Sequence, residues 1–221
     1  MERKYKVVIF DVDGTLLNTS EGILSSAKYA INAMQYEVPS HKVLESFIGP
    51  PIQDSFAETF GVEGELLNKM SDFFRNHYKE NDLLKAIPYE GIYDVFEWLQ
   101  KNNFEIAVAT YRRQDYAETI INHFGFNKYT DIICGSDFEG KLRKNDIIVN
   151  SLQKAKISNP EQAVMIGDSD NDEKGAEILG IDFIGVTYGF GFTSKNDVLG
   201  KTTVGVADTP KEIIKILSGA K

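Results

Sequence analysis

With 221 residues, 42% hydrophobic and 26% charged, the chain can bury a sizeable core as one domain, or as one domain with an insertion. Its net charge of −9 argues against a nucleic-acid polymer or an anionic membrane as partner, and no apolar run approaches the roughly 20 residues of a membrane span. The lone cysteine, Cys134, excludes an internal disulfide, suits a reducing cytoplasm and reads as a small buried thiol. The start, MERKYKVVIF, is basic, but its apolar run is too short for a signal peptide.

In chain order, the first predicted strand is KVVIF (6–10), which ends in Asp11-Val12-Asp13-Gly14-Thr15. No convincing strand follows between 19 and 87. Instead Ile23, Ala27, Ile31 and Met34 mark one helix, and Ile52, Phe56 and Phe60 a second that opens after the stiff turn Gly49-Pro50-Pro51. Leu66, Leu67, Met70, Phe73 and Phe74 mark a third, with the aromatics read as core. Residues 19–87 are therefore expected to form an all-helical insertion. The chain then returns through IPYEGI (87–92) to an α/β core made of 1–18 and 88–221.

In that core, Ile92, Val95, Phe96 and Leu99 predict a helix, with Trp98 packed on it, and EIAVAT (105–110) a strand ending at Thr110. A helix over Tyr116, Ile120, Ile121 and Phe124 follows. Further strands are DIICGS (131–136), AVMIGD (163–168), DFIGVT (182–187) and, weakly, TTVGVA (202–207). Most of these runs are continuously apolar, as parallel strands covered on both faces should be. Strand–helix alternation of this kind predicts a doubly wound α/β sheet.

In such sheets ligands bind beyond the carboxyl ends of the strands. Asp11 and Asp13 sit there one residue apart, where like charges repel by roughly 4 kcal/mol at about 4 Å and an effective dielectric near 20. Gly167-Asp168-Ser169-Asp170-Asn171-Asp172 supplies more acids at another strand end. Acids converging from distant parts of a chain need a common counter-charge, which a hard divalent cation with oxygen ligands provides. Neither run is an EF-hand: positions six and twelve are Leu16 and Gly22 counted from Asp11, and Glu173 and Leu179 from Asp168. Any one of these acids could simply cap a helix. That reading weakens for two such clusters on separate strand ends. The histidines His41, His77 and His123 have no metal-ligand spacing.

DVDGT, then Thr110, then a lysine upstream of GDSDND resembles the four motifs of the haloacid dehalogenase-like hydrolases, over essentially the whole chain and including the position of the helical insertion. The subgroup it looks like is that of phosphoglycolate phosphatases and related nucleotidases with a helical cap. The resemblance implies a Rossmann-like core, Mg2+, and a small phosphomonoester as substrate. It implies Asp11 as nucleophile, forming an aspartyl-phosphate, and Asp13 as general acid and then base. The metal would be held by Asp11, Asp168 and the backbone carbonyl of Asp13, with Asp172 orienting that shell; Asp170 has no assigned role. Thr110 and the backbone at Tyr111 would bind the phosphoryl group, and a lysine would neutralise it. Lys144, at the start of a helix pattern, is favoured over Lys141. Thr15 reads equally as a turn residue or a phosphate contact. Arg112 and Arg113 read as solvated surface arginines, with one of them reaching the substrate as the alternative, and VTYGFG (186–191) reads as a loop at the site's edge.

The expected activity is thus hydrolysis of a small phosphorylated metabolite by a cytoplasmic monomer or weak homo-oligomer. A phosphosugar mutase of the β-phosphoglucomutase type shares the motifs. A phospho-acceptor signalling module also places acids, Thr and Lys at strand ends, but lacks DxDGT and the inserted cap.

Overall fold

In the computed structural model, which describes residues 4–198 and 200–219, the chain divides into two compact units: Met1–Leu17 with Pro88–Lys221, and Asn18–Ile87. Residues 1–3 of the basic amino terminus lie outside the described residues. In chain order, β1 (Val7–Phe10) is followed by the short β2 (Leu17–Asn18). The helical unit holds α1 (Ser20–Ala33), α2 (His41–Glu45), α3 (Ile52–Phe60) and α4 (Gly64–His77). The short β3 (Ile87–Pro88) pairs with β2 where the chain re-enters the first unit. Then come α5 (Ile92–Lys101), β4 (Glu105–Arg113), α6 (Gln114–His123), β5 (Ile132–Ser136) and α7 (Lys144–Lys154). The chain continues through β6 (Ala163–Gly167), α8 (Asp170–Leu179), β7 (Asp182–Val186), β8 (Thr203–Ala207) and α9 (Pro210–Ser218). This is the expected doubly wound α/β fold.

The six-stranded sheet is parallel, in the order β5-β4-β1-β6-β7-β8. Strand β1 is central and buried throughout, which explains its unbroken apolar run. Val7 and Ile9 join Ile147, Ile148 and Ala176 on one face, while Phe10 meets the Phe96 ring on the other at 5.0 Å. Phe10 lies opposite both Val108 and Ile166. That register brings Asp11, Ala109–Thr110 and Gly167–Asp168 to one edge of the sheet. The chain reverses direction there, with β4 and β5 on one side of β1 and β6 to β8 on the other, so this edge is the topological switch point.

The helical unit has an aromatic core: Phe56 packs against Phe47 and Phe74, and Phe74 stacks on Tyr78 at 5.5 Å. A π-helical turn, Tyr78–Asp82, extends α4 and carries Asp82 inward. There Asp82 accepts from Ser26 Oγ at 2.7 Å and pairs with Lys85 at 2.7 Å and His77 at 3.1 Å. Burial pushes its carboxyl up, but hydrogen bonds from Lys85 and Ser26 outweigh burial and hold it below the usual range. Periodicity revealed neither this turn nor α2, since five residues are too few to show a period. Of the positions that mark these helices, Leu66 is exposed and Met34 only caps α1.

Strand β4 does not stop at Thr110. It runs three residues further, to Arg113, with a register shift between Ala109 and Arg113. Apolar patterning cannot detect that extension because the added residues are polar. A glycine accommodates it: a Cβ at Gly135 would lie 2.6 Å from Arg112 O and 2.7 Å from Gln114 Cα. Beside it, the Gln114 side-chain amide donates to Ile133 O at 3.0 Å and accepts from Gly135 N at 2.6 Å, on the outer edge of β5. Lys154 Nζ adds a bond to Ile133 O at 2.9 Å. Because the clash at Gly135 is with backbone, Gly135→Ala should cost about 2 kcal/mol or more, within the range for overpacking. Urea unfolding should show it as a lowered midpoint at unchanged slope.

Candidate active site

Lys144 is the first residue of α7 and sits at the centre of the site with its side chain buried. Its Nζ lies 2.8 Å from Asp11 Oδ1, 2.7 Å from Asp172 Oδ1 and 3.2 Å from Ala109 O. The ammonium donates hydrogen bonds to Asp11 and to Ala109 O, and its contact with Asp172 Oδ1 is an ion pair. Its backbone N–H donates to the Tyr111 hydroxyl at 3.1 Å, which satisfies one orphan donor of the helix amino terminus. Tyr111 thus acts here through its phenol, on Lys144, in addition to any part its backbone plays. Lys141, the alternative, is exposed and paired with Glu139.

Asp11, Asp168 and Asp172 offer carboxylate oxygens that all lie within 4.8 Å of one another, and all three residues are buried. Asp172 does two jobs. Its Oδ2 accepts from Ser169 N and Oγ in a capping box at the start of α8, while Oδ1 turns to Lys144. Helix capping and membership of the acidic group, opposed as readings of the sequence, coexist in this residue. Asp168 Oδ2 accepts from Phe190 N at 2.7 Å and Gly191 N at 3.1 Å. The glycine-flanked loop after β7 therefore does reach the site, where it holds a carboxylate. Gly14 permits the close approach: its φ is +73°, and a Cβ there would fall 2.0 Å from Asp168 Oδ2. Asp170, left without a role, is exposed and paired with Lys174.

The electrostatics are unbalanced. Three carboxylates against one ammonium leave two negative charges in a buried space. Burial pushes the Asp11 carboxyl well up; Lys144 draws it back, but Asp172, Asp13 and Asp168 push it up again. Burial, reinforced by Asp172, pushes Asp168 up to about 7 against the pull of its two backbone hydrogen bonds. Lys144 is held firmly charged, since Asp11 and Asp172 outweigh the cost of its burial. All-oxygen donors with two unbalanced charges suit a hard divalent cation. These residues therefore fit a metal ion, with Asp11, Asp168 and Asp172 as the side chains that could hold it.

Asp13 stands apart from that triad. It forms a two-point ion pair with Arg112, Nε to Oδ2 at 2.9 Å and Nη2 to Oδ1 at 2.5 Å, both side chains being 7% exposed. The reading of Arg112 as a solvated surface arginine is thus wrong. The extension and register shift of β4 turn it inward, and its buried charge is met by a carboxylate 99 positions away. Arg113 is not free in solvent either: it pairs with Asp115 and lies 4.1 Å from both the Tyr116 and Phe138 rings. Thr110 is fully buried, and its Oγ1 accepts from Arg112 N at 3.3 Å. Thr15 Oγ1 is buried without a hydrogen-bond partner among the described residues, while its carbonyl accepts from Tyr188 OH at 3.1 Å. Tyr188 meets Tyr89 edge-on at 4.8 Å. Burial, with help from Asp168, raises both phenols well above their ordinary value. Tyr188 belongs to the VTYGFG loop expected at the site's edge, whereas Tyr89 stands in a loop with no periodic signal.

A family model described as haloacid dehalogenase-like hydrolase matches residues 8–186. The chain belongs to the haloacid dehalogenase-like hydrolases. Among its relatives in this family is a 5'-nucleotidase of Pseudomonas aeruginosa, 31% identical over 188 residues that make up 85% of each chain. Another is the tyrosine-protein kinase PtkA of Mycobacterium tuberculosis, 30% identical over 96% of this chain and 72% of that one. The crystal structure of a predicted phosphatase from Clostridium acetobutylicum matches with a TM-score of 0.88 and 33% identity, over 97% of this chain and 99% of that one.

In this hydrolase, an acid whose folded pKa lies above its unfolded value favours the folded state at low pH and loses that contribution as pH rises. For Asp168 the window runs from about 4 to about 7. Metal-free protein should therefore lose stability across that window through Asp168, by at most about 4 kcal/mol for a shift of roughly three units. Thermal melts in chelator should show the trend, and Asp168→Asn should flatten it.

Proposed function

We propose that this haloacid dehalogenase-like phosphatase is a Mg2+-dependent phosphomonoester hydrolase that works through an aspartyl-phosphate on Asp11 and acts on a small phosphorylated metabolite. The observation that carries the reading is the buried group of Asp11, Asp168 and Asp172, whose charge exceeds what Lys144 offsets. Bound Mg2+, held by Asp11, Asp168 and the Asp13 carbonyl with Asp172 orienting that shell, would supply the charge that lets one anion approach another. The register that sets Asp11 beside Thr110 and Asp168 supports a site at this edge of the sheet.

The residues divide the work. An Asp11 oxygen attacks phosphorus, the ester P–O bond breaks, and its electron pair leaves on the alcohol oxygen, which takes a proton from Asp13. Asp13 then removes a proton from water as the water attacks the phosphorus, and the Asp11–phosphorus bond breaks to release phosphate. Lys144 holds Asp11 in place and would share its charge with the phosphoryl oxygens, as would the Thr110 hydroxyl and the backbone at Tyr111. Residues 19–87 would serve as the cap that excludes water and reads the leaving group. The names of relatives as nucleotidase, pyrophosphatase and phosphoglycolate phosphatase support a small phosphate compound as substrate. No helix among the described residues is long and apolar enough to cross a membrane. A cytoplasmic setting without membrane or nucleic-acid partners, as a monomer or weak homo-oligomer, completes the proposal.

Wild-type protein with Mg2+ should release free phosphate from p-nitrophenyl phosphate, and exhaustive chelation should stop it. Asp11→Asn should lower turnover by about 10³-fold or more, in line with the loss of other catalytic nucleophiles, while its circular dichroism stays native. Phosphate release that survives in that variant would overturn the nucleophile assignment. Phosphorylated protein without phosphate release would favour the mutase or signalling reading.

A further inference from the structure

Away from the acidic group, a cavity of about 340 Å3 opens on the outer edge of β5, between the start of α6 and the second half of α7. Its walls are Gln114, Cys134, Gly135, Asn150, Gln153 and Lys154, so none of the acids at the switch point lines it. Gln114 shapes this space with its amide already engaged. Its carbonyl accepts from Gly135 N, and its N–H groups donate to Ile133 O and, at 2.7 Å, to Glu118 Oε1. Lys154 is different. Its Nζ gives one donor to Ile133 O, keeps two, and meets no carboxylate among the described residues. Asn150 and Gln153 share one face of α7 with it, at i, i+3, i+4 spacing. Their side-chain amides bind no other described residue.

We propose that this cavity is a second binding site, independent of the phosphatase reading, for a small carboxylate that carries hydroxyl groups. The carboxylate takes the two spare donors of Lys154, and the hydroxyls meet the amides of Asn150 and Gln153. Charge, donor chemistry and size each narrow the ligand to that class. One ammonium with no acid beside it calls for one negative charge. A dianionic phosphoryl group would leave a surplus on a chain whose net charge is already −9. A side-chain amide offers two donors and an acceptor, and a hydroxyl matches both kinds. The volume lies at the lower end of small-molecule pockets, roughly 300–1,000 Å3, so the ligand is of metabolite size. Buried Cys134 and Gly135 form the inner wall, while Gln153 and Lys154 stand exposed at the rim. The charged end of the ligand therefore stays near water and loses little hydration.

The test titrates the metal-free protein with gluconate, hexanoate, sorbitol and inorganic phosphate, and follows the side-chain amide NMR signals of Asn150 and Gln153. Gluconate should shift both with a Kd of about 1 mM, the range for a ligand of this size at a partly open site. Hexanoate lacks the hydroxyls and sorbitol the charge, so each should bind about tenfold more weakly or worse. Phosphate should leave both signals in place. Lys154→Met should weaken gluconate by about tenfold, whereas Lys154→Arg, which keeps the charge, should retain most of the affinity. Calorimetry on the double variant Asn150→Ala, Gln153→Ala should bring gluconate down to the level of hexanoate. Amide signals that stay still at about 20 mM gluconate overturn the proposal. So does an equal response to the three organic compounds, which marks a general solute effect. Phosphate binding tighter than gluconate overturns the choice of a carboxylate, and unchanged gluconate affinity in Lys154→Met overturns the site. Should Lys154→Met not fold, the ranking on the wild type and the double variant decide.

Discussion

The contact on which the site depends is the ammonium of Lys144 between Asp11 and Asp172. Three distant parts of the chain meet there: the end of β1, the start of α7 and the first turn of α8. Without it, three buried carboxylates would face one another with nothing to offset their repulsion. With it, they still carry an excess of negative charge, and protons on Asp11 and Asp168 are the cheapest remedy in the metal-free protein. The same excess of negative charge is what a hard divalent cation would offset.

The carboxylates at 11 and 13, one residue apart in sequence, part company in space. The chain leaves extended geometry at the turn after β1, where three amides converge on Val12 O, so Asp11 turns toward Lys144 and Asp13 toward Arg112. Each acid finds its own cation. The repulsion between them is thereby reduced, and two carboxyl groups of the same type are given distinct environments, as two distinct chemical roles require.

Much of the fold was legible because the strands are covered on both faces. KVVIF and AVMIGD could hardly be anything but central strands, and the helix-period segments between them fixed the alternation. The acids were legible as well, since charge at the end of an apolar run is conspicuous. What escaped depends on three-dimensional closure. Arg112 looked like surface because arginine usually is, and only the irregular end of β4 buries it. Tyr89 meets Tyr188 of the VTYGFG loop from a separate loop, with no spacing to announce it. Position before a helix pattern puts Lys144 at the start of α7, yet its contact with Asp172 depends on how α7 and α8 pack, which periodicity does not encode.

The amide of Gln114 makes to β5 the two bonds that one residue of a neighbouring parallel strand would make. A sheet that ends in an open ladder invites continuation by another polypeptide, the route by which many α/β proteins misassemble. Here a side chain occupies that rung, and a lysine stands over the same carbonyl. At that rung β5 therefore offers another chain neither its carbonyl nor its amide.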